Sequence, residues 1–131
     1  MQRGVIADRD LELTLVRRRY SSFTPVPSKP SSGLLVDSTD QRATSAAFTA
    51  LTGSAADFEQ WQRFYARMTS LAERVFPTML EPLRSKAQVR ELVGDDDLWR
   101  SVVHRPVGEG LRSTCTNDTV GGVVATDALL G

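Results

Sequence analysis

The chain has 131 residues, 40% of them hydrophobic and 24% charged, which is ordinary for one globular domain. Lysine plus arginine equals aspartate plus glutamate at 16 each, so the formal charge of zero gives no case for nucleic acid or an anionic membrane as partner. No apolar run approaches the ~18 residues of a membrane span, and the N-terminus lacks the apolar core of a secretion signal. Cys115 is the only cysteine, which excludes an intrachain disulfide and favours a cytoplasmic location.

Residues 1–37 are predicted to form a β-hairpin region. In DLELTLVRRR, Leu11, Leu13 and Leu15 alternate with other residues, and this period of two places them on one face of a strand. The next stretch, YSSFTPVPSKPSSG, holds three prolines, which remove backbone donors and fix φ, so it is predicted to be an extended loop or a sheet edge. GLLVD, residues 33–37, would then be the second strand of a hairpin with a long connection.

Residues 38–131 are predicted to be helical. STDQ, residues 38–41, has the form of a capping box, and the helix behind it would end at Gly53. Ser54 is a good N-cap for a long amphipathic helix that Pro77 would end or kink. The apolar stripe of that helix recurs every three to four residues and comprises Phe58, Trp61, Phe64, Met68, Leu71 and Val75.

Shorter helical segments follow in TMLEPLRS, in KAQVRELV before Gly94, and in DDDLWRSVV before Pro106. The last segment, from Asn117, has an apolar stripe with no evident partner surface and is weakened by two adjacent glycines. Strands first and helices after predict an α+β fold, with an N-terminal antiparallel strand pair followed by about five helices.

The nearest approach to a nucleotide-binding glycine loop is GEGLRS, residues 108–113. Its third glycine is replaced by Ser113, and no βαβ unit surrounds it, so a turn between helices is favoured over a phosphate site. The DDD run, residues 95–97, could hold a hard cation, but acidic residues at a helix start also stabilise the helix dipole, and this second interpretation is favoured.

The remaining candidates are single residues or short runs. His104 and Cys115 are too few for a zinc site, and a buried thiol with a surface imidazole is favoured over a nucleophile pair. RRRY, residues 17–20, is favoured as a solvated strand end over an anion site. NDT matches a glycosylation sequon, but Asn117 is better explained as a helix cap. No catalytic, cofactor-binding or metal-binding residue is therefore predicted.

Three stretches together carry a resemblance to a known family. They are LELTLVRRRYSSFTPVPSKPSSGLLVD, STDQRATSAAFTALTGSAADFEQWQRFYARM and LRSTCTNDTVGGVVATDALLG. In this order and spacing the chain resembles the phytoene-desaturase-like flavoproteins, and most closely the pyridine nucleotide-disulfide oxidoreductase domain-containing protein 2 type, within the amine-oxidase-like superfamily. The resemblance covers nearly the whole chain.

The resemblance implies an FAD-dependent oxidoreductase in which a Rossmann-type unit binds the flavin and an interleaved domain of strands and helices binds the substrate. This chain matches the interleaved part and lacks the GxGxxG fingerprint. Residues 1–131 are therefore expected to be a single partial domain, a fragment that binds no FAD alone and is inactive alone. Its expected partners are a flavin domain and an apolar small-molecule substrate. The alternative is a small non-enzymatic helical module that docks a partner through the stripe of Trp61, Phe64 and Met68.

Overall fold

A computed structural model of the chain describes residues 12, 14 and 16–130, without the side chains of residues 113, 114, 129 and 130. The two strands are β1 (Tyr20–Val26) and β2 (Lys29–Asp37). Six α-helices follow in the described chain: α1 (Gln41–Thr52), α2 (Ala55–Val75), α3 (Lys86–Val93), α4 (Asp96–Trp99), α5 (Val107–Thr114) and α6 (Asp118–Leu130). A 3₁₀-helix (Phe76–Leu80) extends α2, and a π-helix (Arg100–His104) extends α4. The predicted α+β class and the strand pair that precedes the helices are confirmed.

The hairpin is formed by the segment for which the prolines predicted an extended loop or a sheet edge, and the sheet-edge alternative is confirmed. β1 pairs antiparallel with β2, and only residues 27 and 28 join the strands, so the predicted long connection was wrong. Both strands of a two-stranded sheet are edge strands. A proline whose nitrogen points away from the partner strand therefore removes no hydrogen bond between the strands. Pro25 pairs with Gly33, where an added Cβ would lie 2.4 Å from the Thr24 carbonyl oxygen, so only glycine fits this approach.

The first predicted strand rests mainly on Leu11, Leu13 and Leu15, which lie outside the described residues. Its described members, residues 12, 14 and 16–18, are not in a strand. The second predicted strand, residues 33–37, is confirmed as the C-terminal part of β2.

The N-cap of helix α1 lies two positions after the predicted cap. The Asp40 carboxylate, rather than the Ser38 hydroxyl, accepts hydrogen bonds from the N–H groups of Arg42 and Ala43, at 2.9 and 3.0 Å. Ser38 is held by the hairpin, because its N–H donates to the Arg19 carbonyl at 2.8 Å. The predicted capping box at residues 38–41 was therefore wrong. The end of α1 is confirmed at Gly53, whose φ of 78° is in the left-handed region.

Helix α2 joins two hydrophobic clusters. The Ser54 hydroxyl accepts a hydrogen bond from the Ala56 N–H at 3.1 Å, which confirms the predicted cap. Along the predicted stripe, Phe58 and Trp61 pack in one cluster and Met68, Leu71 and Val75 pack in the other.

The first cluster brings both ends of the described chain together. Its buried members come from β2, α1, α2 and α6, and they are Leu34, Val36, Phe48, Phe58, Val120 and Val123. Phe48 is fully buried, and its ring centroid lies 5.4 Å from those of both Phe58 and Trp61. The stripe of α6 thus has a partner surface within the chain, contrary to expectation, because α6 packs against both strands of the hairpin and its valines join the first cluster.

The second cluster is built from neighbouring segments. Its buried members are Val93, Leu98 and Trp99, which pack against the C-terminal half of α2 and against Val89. Helix α3 ends at Gly94, with a φ of 60°, as predicted. A capping box does exist, but at the start of α3, where the side chains of Ser85 and Gln88 each bond the other residue's N–H.

The segment between α2 and α3 is not the predicted α-helix. Helix α2 ends at Val75, and Pro77 lies in the 3₁₀-helix that follows, which confirms its predicted role in ending the long helix. Pro77 and Pro82 have no N–H to donate, so a continuous α-helix over TMLEPLRS would lack hydrogen bonds. At the other end of the chain, the Asn117 side chain accepts from the N–H groups of Thr119 and Val120, at 2.9 and 3.3 Å, and is the predicted cap of α6.

Candidate functional surfaces

The acidic run at residues 95–97 is used by the fold. The Asp95 carboxylate accepts from the Leu98 N–H at 2.8 Å and caps α4, which confirms the helix-start interpretation. Asp96 lies 2.9 Å from Arg90, and Asp97 lies 3.2 Å from Arg100. Among the described residues, no three His, Cys, Asp or Glu side chains are grouped so as to hold a metal ion.

The structure gives Cys115 and His104 different environments. Cys115 is half-buried against the first cluster, whereas His104 is exposed at the end of the π-helix. Burial, followed by the negative charge of Asp57, raises the pKa of the Cys115 thiol. The thiol is therefore protonated at neutral pH and is a weak nucleophile.

GEGLRS is neither a phosphate loop nor the predicted turn between helices, because it lies within α5. Pro106 precedes the helix, and its carbonyl accepts from the Glu109 N–H at 2.9 Å. Glu109 in the first turn and Arg112 in the last turn have the signs that suit the helix dipole, which offsets the cost of the two glycines.

The sequence analysis missed a buried carboxylate at the end of β2. One oxygen of Asp37 accepts from the hydroxyl and the N–H of Thr39, at 2.7 and 2.8 Å, and from the Asp40 N–H at 3.1 Å. The other oxygen accepts from the Arg19 guanidinium at 2.9 Å. These bonds, led by the Thr39 hydroxyl, lower the pKa of Asp37 to about 2. Asp37 is a structural tie between the hairpin and α1, because its lone pairs are already engaged.

One local signal could have identified this turn. An aspartate side chain commonly bonds the backbone two residues further on, and Asp37 is followed at that spacing by Thr39 in a turn-rich stretch, DSTD. In RRRY, Arg19 also stacks over Tyr20 at 5.1 Å from the ring centroid, so it is not only a solvated strand end, while Arg17 and Arg18 are exposed.

A second polar group of residues joins α2 to α6. The Tyr65 hydroxyl donates to the Asp127 carboxylate, and burial together with this bond raises the pKa of Tyr65. Near the start of α2, the Thr116 hydroxyl donates to Asp57 at 3.1 Å. Both bonds hold the C-terminal segment on α2.

Two shallow grooves lie on the surface. One, of about 760 Å³, follows α1 and the start of α2 and is lined by Ser45, Thr49, Phe58 and Gln62 among others. The other, of about 860 Å³, lies beside α3 and α4 and includes Lys86, Arg90, Trp99 and His104. In the second groove Arg90 is paired with Asp96.

Two exposed apolar surfaces are more distinctive than the two grooves. The first, here called the hairpin face, consists of Tyr20, Phe23 and Leu35, and its last two members are cross-strand partners. The second, here called the 76–83 loop, carries the exposed side chains of Phe76, Met79, Leu80 and Leu83. The stripe residues Trp61 and Met68, in contrast, are partly buried, and they pack against the first and the second cluster respectively.

The chain is similar in sequence to part of longer mycobacterial proteins. Two Mycobacterium tuberculosis proteins and one from Mycobacterium bovis, each described as uncharacterized, are 37% identical to it over 134 aligned positions. The match covers 97% of this chain and 25% of each relative, so the chain spans about a quarter of the length of these curated relatives. No protein-family model and no solved structure matches the chain. No helix in the described residues is long and apolar enough to cross a membrane.

Proposed function

We propose that this chain is part of an FAD-dependent oxidoreductase of the phytoene-desaturase-like family and forms part of its substrate-binding domain. The order and spacing of the three resembling stretches support this assignment. The length of the relatives is compatible with it, because they leave about three quarters of their sequence for a flavin domain and the rest of a substrate domain.

The single observation that carries the proposal is the hairpin face. Leu34 and Val36 are buried on one side of β2, while Leu35 and its partner Phe23 are exposed on the other. A sheet that is apolar on both sides is typical of strands covered on both sides. Two strands alone are also marginally stable in water. The hairpin face therefore suits contact with further polypeptide or with an apolar substrate.

The described residues do not fit a flavin site of their own. A dinucleotide fold needs parallel strands and a glycine-rich turn between a strand and a helix. Here the two strands are antiparallel, and Gly108 and Gly110 lie within α5 rather than in such a turn. FAD would be held by another part of a longer polypeptide or by a separate chain. There it would supply the redox chemistry, by accepting hydride from a substrate C–H bond while a proton leaves the neighbouring carbon or nitrogen, so that a C–C or C–N single bond becomes a double bond. This chain would orient an apolar substrate.

Flavin content tests the proposal directly. The full-length Mycobacterium tuberculosis relative would be purified and denatured, and the supernatant examined for flavin absorbance and fluorescence. The present chain would be titrated with FAD under the same conditions. We expect FAD from the full-length relative and no saturable binding by the present chain.

Two results would contradict the proposal. Tight FAD binding by the present chain would mean that it carries the flavin site. A full-length relative that contains no flavin and gains none when FAD is added would remove the family assignment. The non-enzymatic binding module would then be the better interpretation if the present chain also unfolds cooperatively as a monomer.

A further inference from the structure

The 76–83 loop concentrates exposed apolar surface within a few residues. Met79 and Leu80 are 62% and 58% exposed, and Leu83 is fully exposed. The 3₁₀-helix that carries the first two packs on the end of α2, and Leu83 follows it in a stretch without regular structure. Large apolar side chains that are grouped in this way on a surface are characteristic of an interaction site.

Local bonds hold the backbone of this loop. The Thr78 hydroxyl donates to the Val75 carbonyl at 2.8 Å, and the Glu81 N–H donates to the Thr78 carbonyl at 3.1 Å. Pro77 and Pro82 each fix one φ angle. A surface that is ordered before it binds loses less conformational entropy in the complex, so the loop suits contact with a folded partner.

The arginines at the two ends of the loop are engaged within the chain. Arg74 donates to the Val93 carbonyl, and Arg84 lies 2.7 Å from the Glu81 carboxylate. These contacts leave the apolar side chains as the main groups that the loop offers to a partner. Aromatic residues, methionine and arginine are the residue types enriched in contacts between folded polypeptides, and the loop with its paired arginine has this composition.

The loop and the hairpin lie at opposite ends of α2. Leu34 and Val36 of the hairpin pack with Phe58 near the start of that helix, whereas the loop follows its end. The helix has 21 residues and is therefore about 30 Å long. A small molecule on the hairpin face could not also cover the loop. The longer mycobacterial relatives, in contrast, have about three quarters of their length outside the region that matches this chain, which is enough polypeptide to cover both surfaces.

We propose that the 76–83 loop is an interdomain contact, which packs on the part of the longer polypeptide that lies outside the matched quarter. Leu83 is its central residue and is seated there in an apolar recess, because its side chain is the most exposed of the group. The inference rests on the exposure of the loop and on the length of the relatives, and it does not depend on the flavoenzyme proposal.

Cysteine labelling in the intact protein tests the contact. A cysteine would be placed in the full-length Mycobacterium tuberculosis relative at the position aligned with Leu83 or, as the matched control, at the position aligned with Arg63, whose side chain is 67% exposed on α2. Leu83→Cys and Arg63→Cys would be made in the present chain. Peptide mass spectrometry would follow the reaction of each cysteine with a maleimide, with the denatured protein as the reference.

The proposal predicts protection at one position only. We expect the cysteine at position 83 to react about tenfold or more slowly in the full-length relative than in the present chain, because burial restricts the reaction to transient openings. The cysteine at position 63 should react at similar rates in both proteins. A fast reaction at position 83 in the full-length relative, or equal slowing at both positions, would overturn the proposal.

Other occupants of the loop give different results, and each of them also overturns it. Protection that disappears on dilution of the full-length relative would identify a second copy. A fast reaction in buffer that is slowed by vesicles of phosphatidylcholine and phosphatidylglycerol would identify a lipid surface. Flavin does not enter these measurements, so a relative that lacks flavin but protects position 83 would remove the family assignment and leave this inference intact.

Discussion

The two hydrophobic clusters differ in the distance along the chain over which they are assembled. The first joins residues from Leu34 to Val123, and the second joins residues from Met68 to Trp99. Loop closure costs more entropy for distant segments, so the first cluster must recover more free energy through burial. It does so with the larger set of buried side chains and with stacked aromatic rings. We infer that the first cluster determines whether the chain folds. The second cluster adds stability to the C-terminal half of α2.

The largest expected effect is the loss of the Phe48 ring from the first cluster. Phe48→Ala removes a fully buried ring and leaves a cavity between Phe58 and Trp61, so we expect a loss of about 3–5 kcal/mol in the free energy of unfolding. Urea denaturation followed by circular dichroism measures it. Phe48→Leu, which keeps most of the volume, serves as the control and should cost less. A loss below about 1 kcal/mol for the alanine variant would show that the first cluster is not the main core.

A smaller loss is expected in the second cluster. Leu98 is buried against Trp99 and Val93, but it lies in a helix of four residues beside the surface, where neighbours can relax into the space. We therefore expect Leu98→Ala to cost about 2–3 kcal/mol, near the lower end for such substitutions. The same denaturation experiment provides the comparison. If Leu98→Ala costs more than Phe48→Ala, the proposed ranking of the two clusters is wrong.

The N-cap of α3 provides a test in which a still smaller loss of stability is expected. Ser85→Ala removes the hydroxyl that accepts from the Gln88 N–H, and we expect a loss of about 1 kcal/mol. Ser38→Ala is the matched control, since Ser38 is bonded through its backbone N–H and Asp40 caps α1 instead. It should stay within about 0.5 kcal/mol of the wild type. Equal losses in the two variants would contradict the assigned caps.

The pH dependence of unfolding tests the tie that Asp37 forms between the hairpin and α1. The pKa of Asp37 is about 2 in the folded chain, below its ordinary 3.8, so the folded state favours the ionised carboxylate. The stabilisation is complete above pH about 4 and is lost as the pH falls towards 2. We expect Asp37→Asn to show a shallower loss of stability across that interval than the wild type, measured by urea denaturation at each pH. Parallel pH profiles would contradict the tie.

Much of the helical part could be predicted because its signals are local. Ser54 caps α2, Gly53 and Gly94 end their helices, and Asn117 caps α6, each through hydrogen bonds to residues within four positions. Local bonds of this kind depend little on the rest of the fold. Of the candidate sites, the helix-start interpretation of residues 95–97 succeeded for the same reason.

The errors occur where local and distant partners compete for the same groups. Ser38 resembles a helix cap, but the strand pairing engages its N–H and leaves the cap to Asp40. The prolines of the N-terminal region left a loop and a sheet edge open, and only the pairing with β2 decides for the sheet edge. Asp37 carries no signature of burial, because its environment is made by Arg19 and by the turn that leads into α1. Spacing in the sequence does not reveal which partner is nearer in space.

The sequence by itself determined the α+β order, the apolar stripe of α2 and most helix ends, because these follow from periodicity and from hydrogen bonds between near neighbours. Only the tertiary structure decided that the proline-rich segment pairs as a hairpin, that α6 packs on it, and that the hairpin face and the 76–83 loop stay exposed. Whether a side chain is buried depends on which distant segments pack against it. The free energy of that packing depends on the whole folded chain and not on any single stretch of sequence.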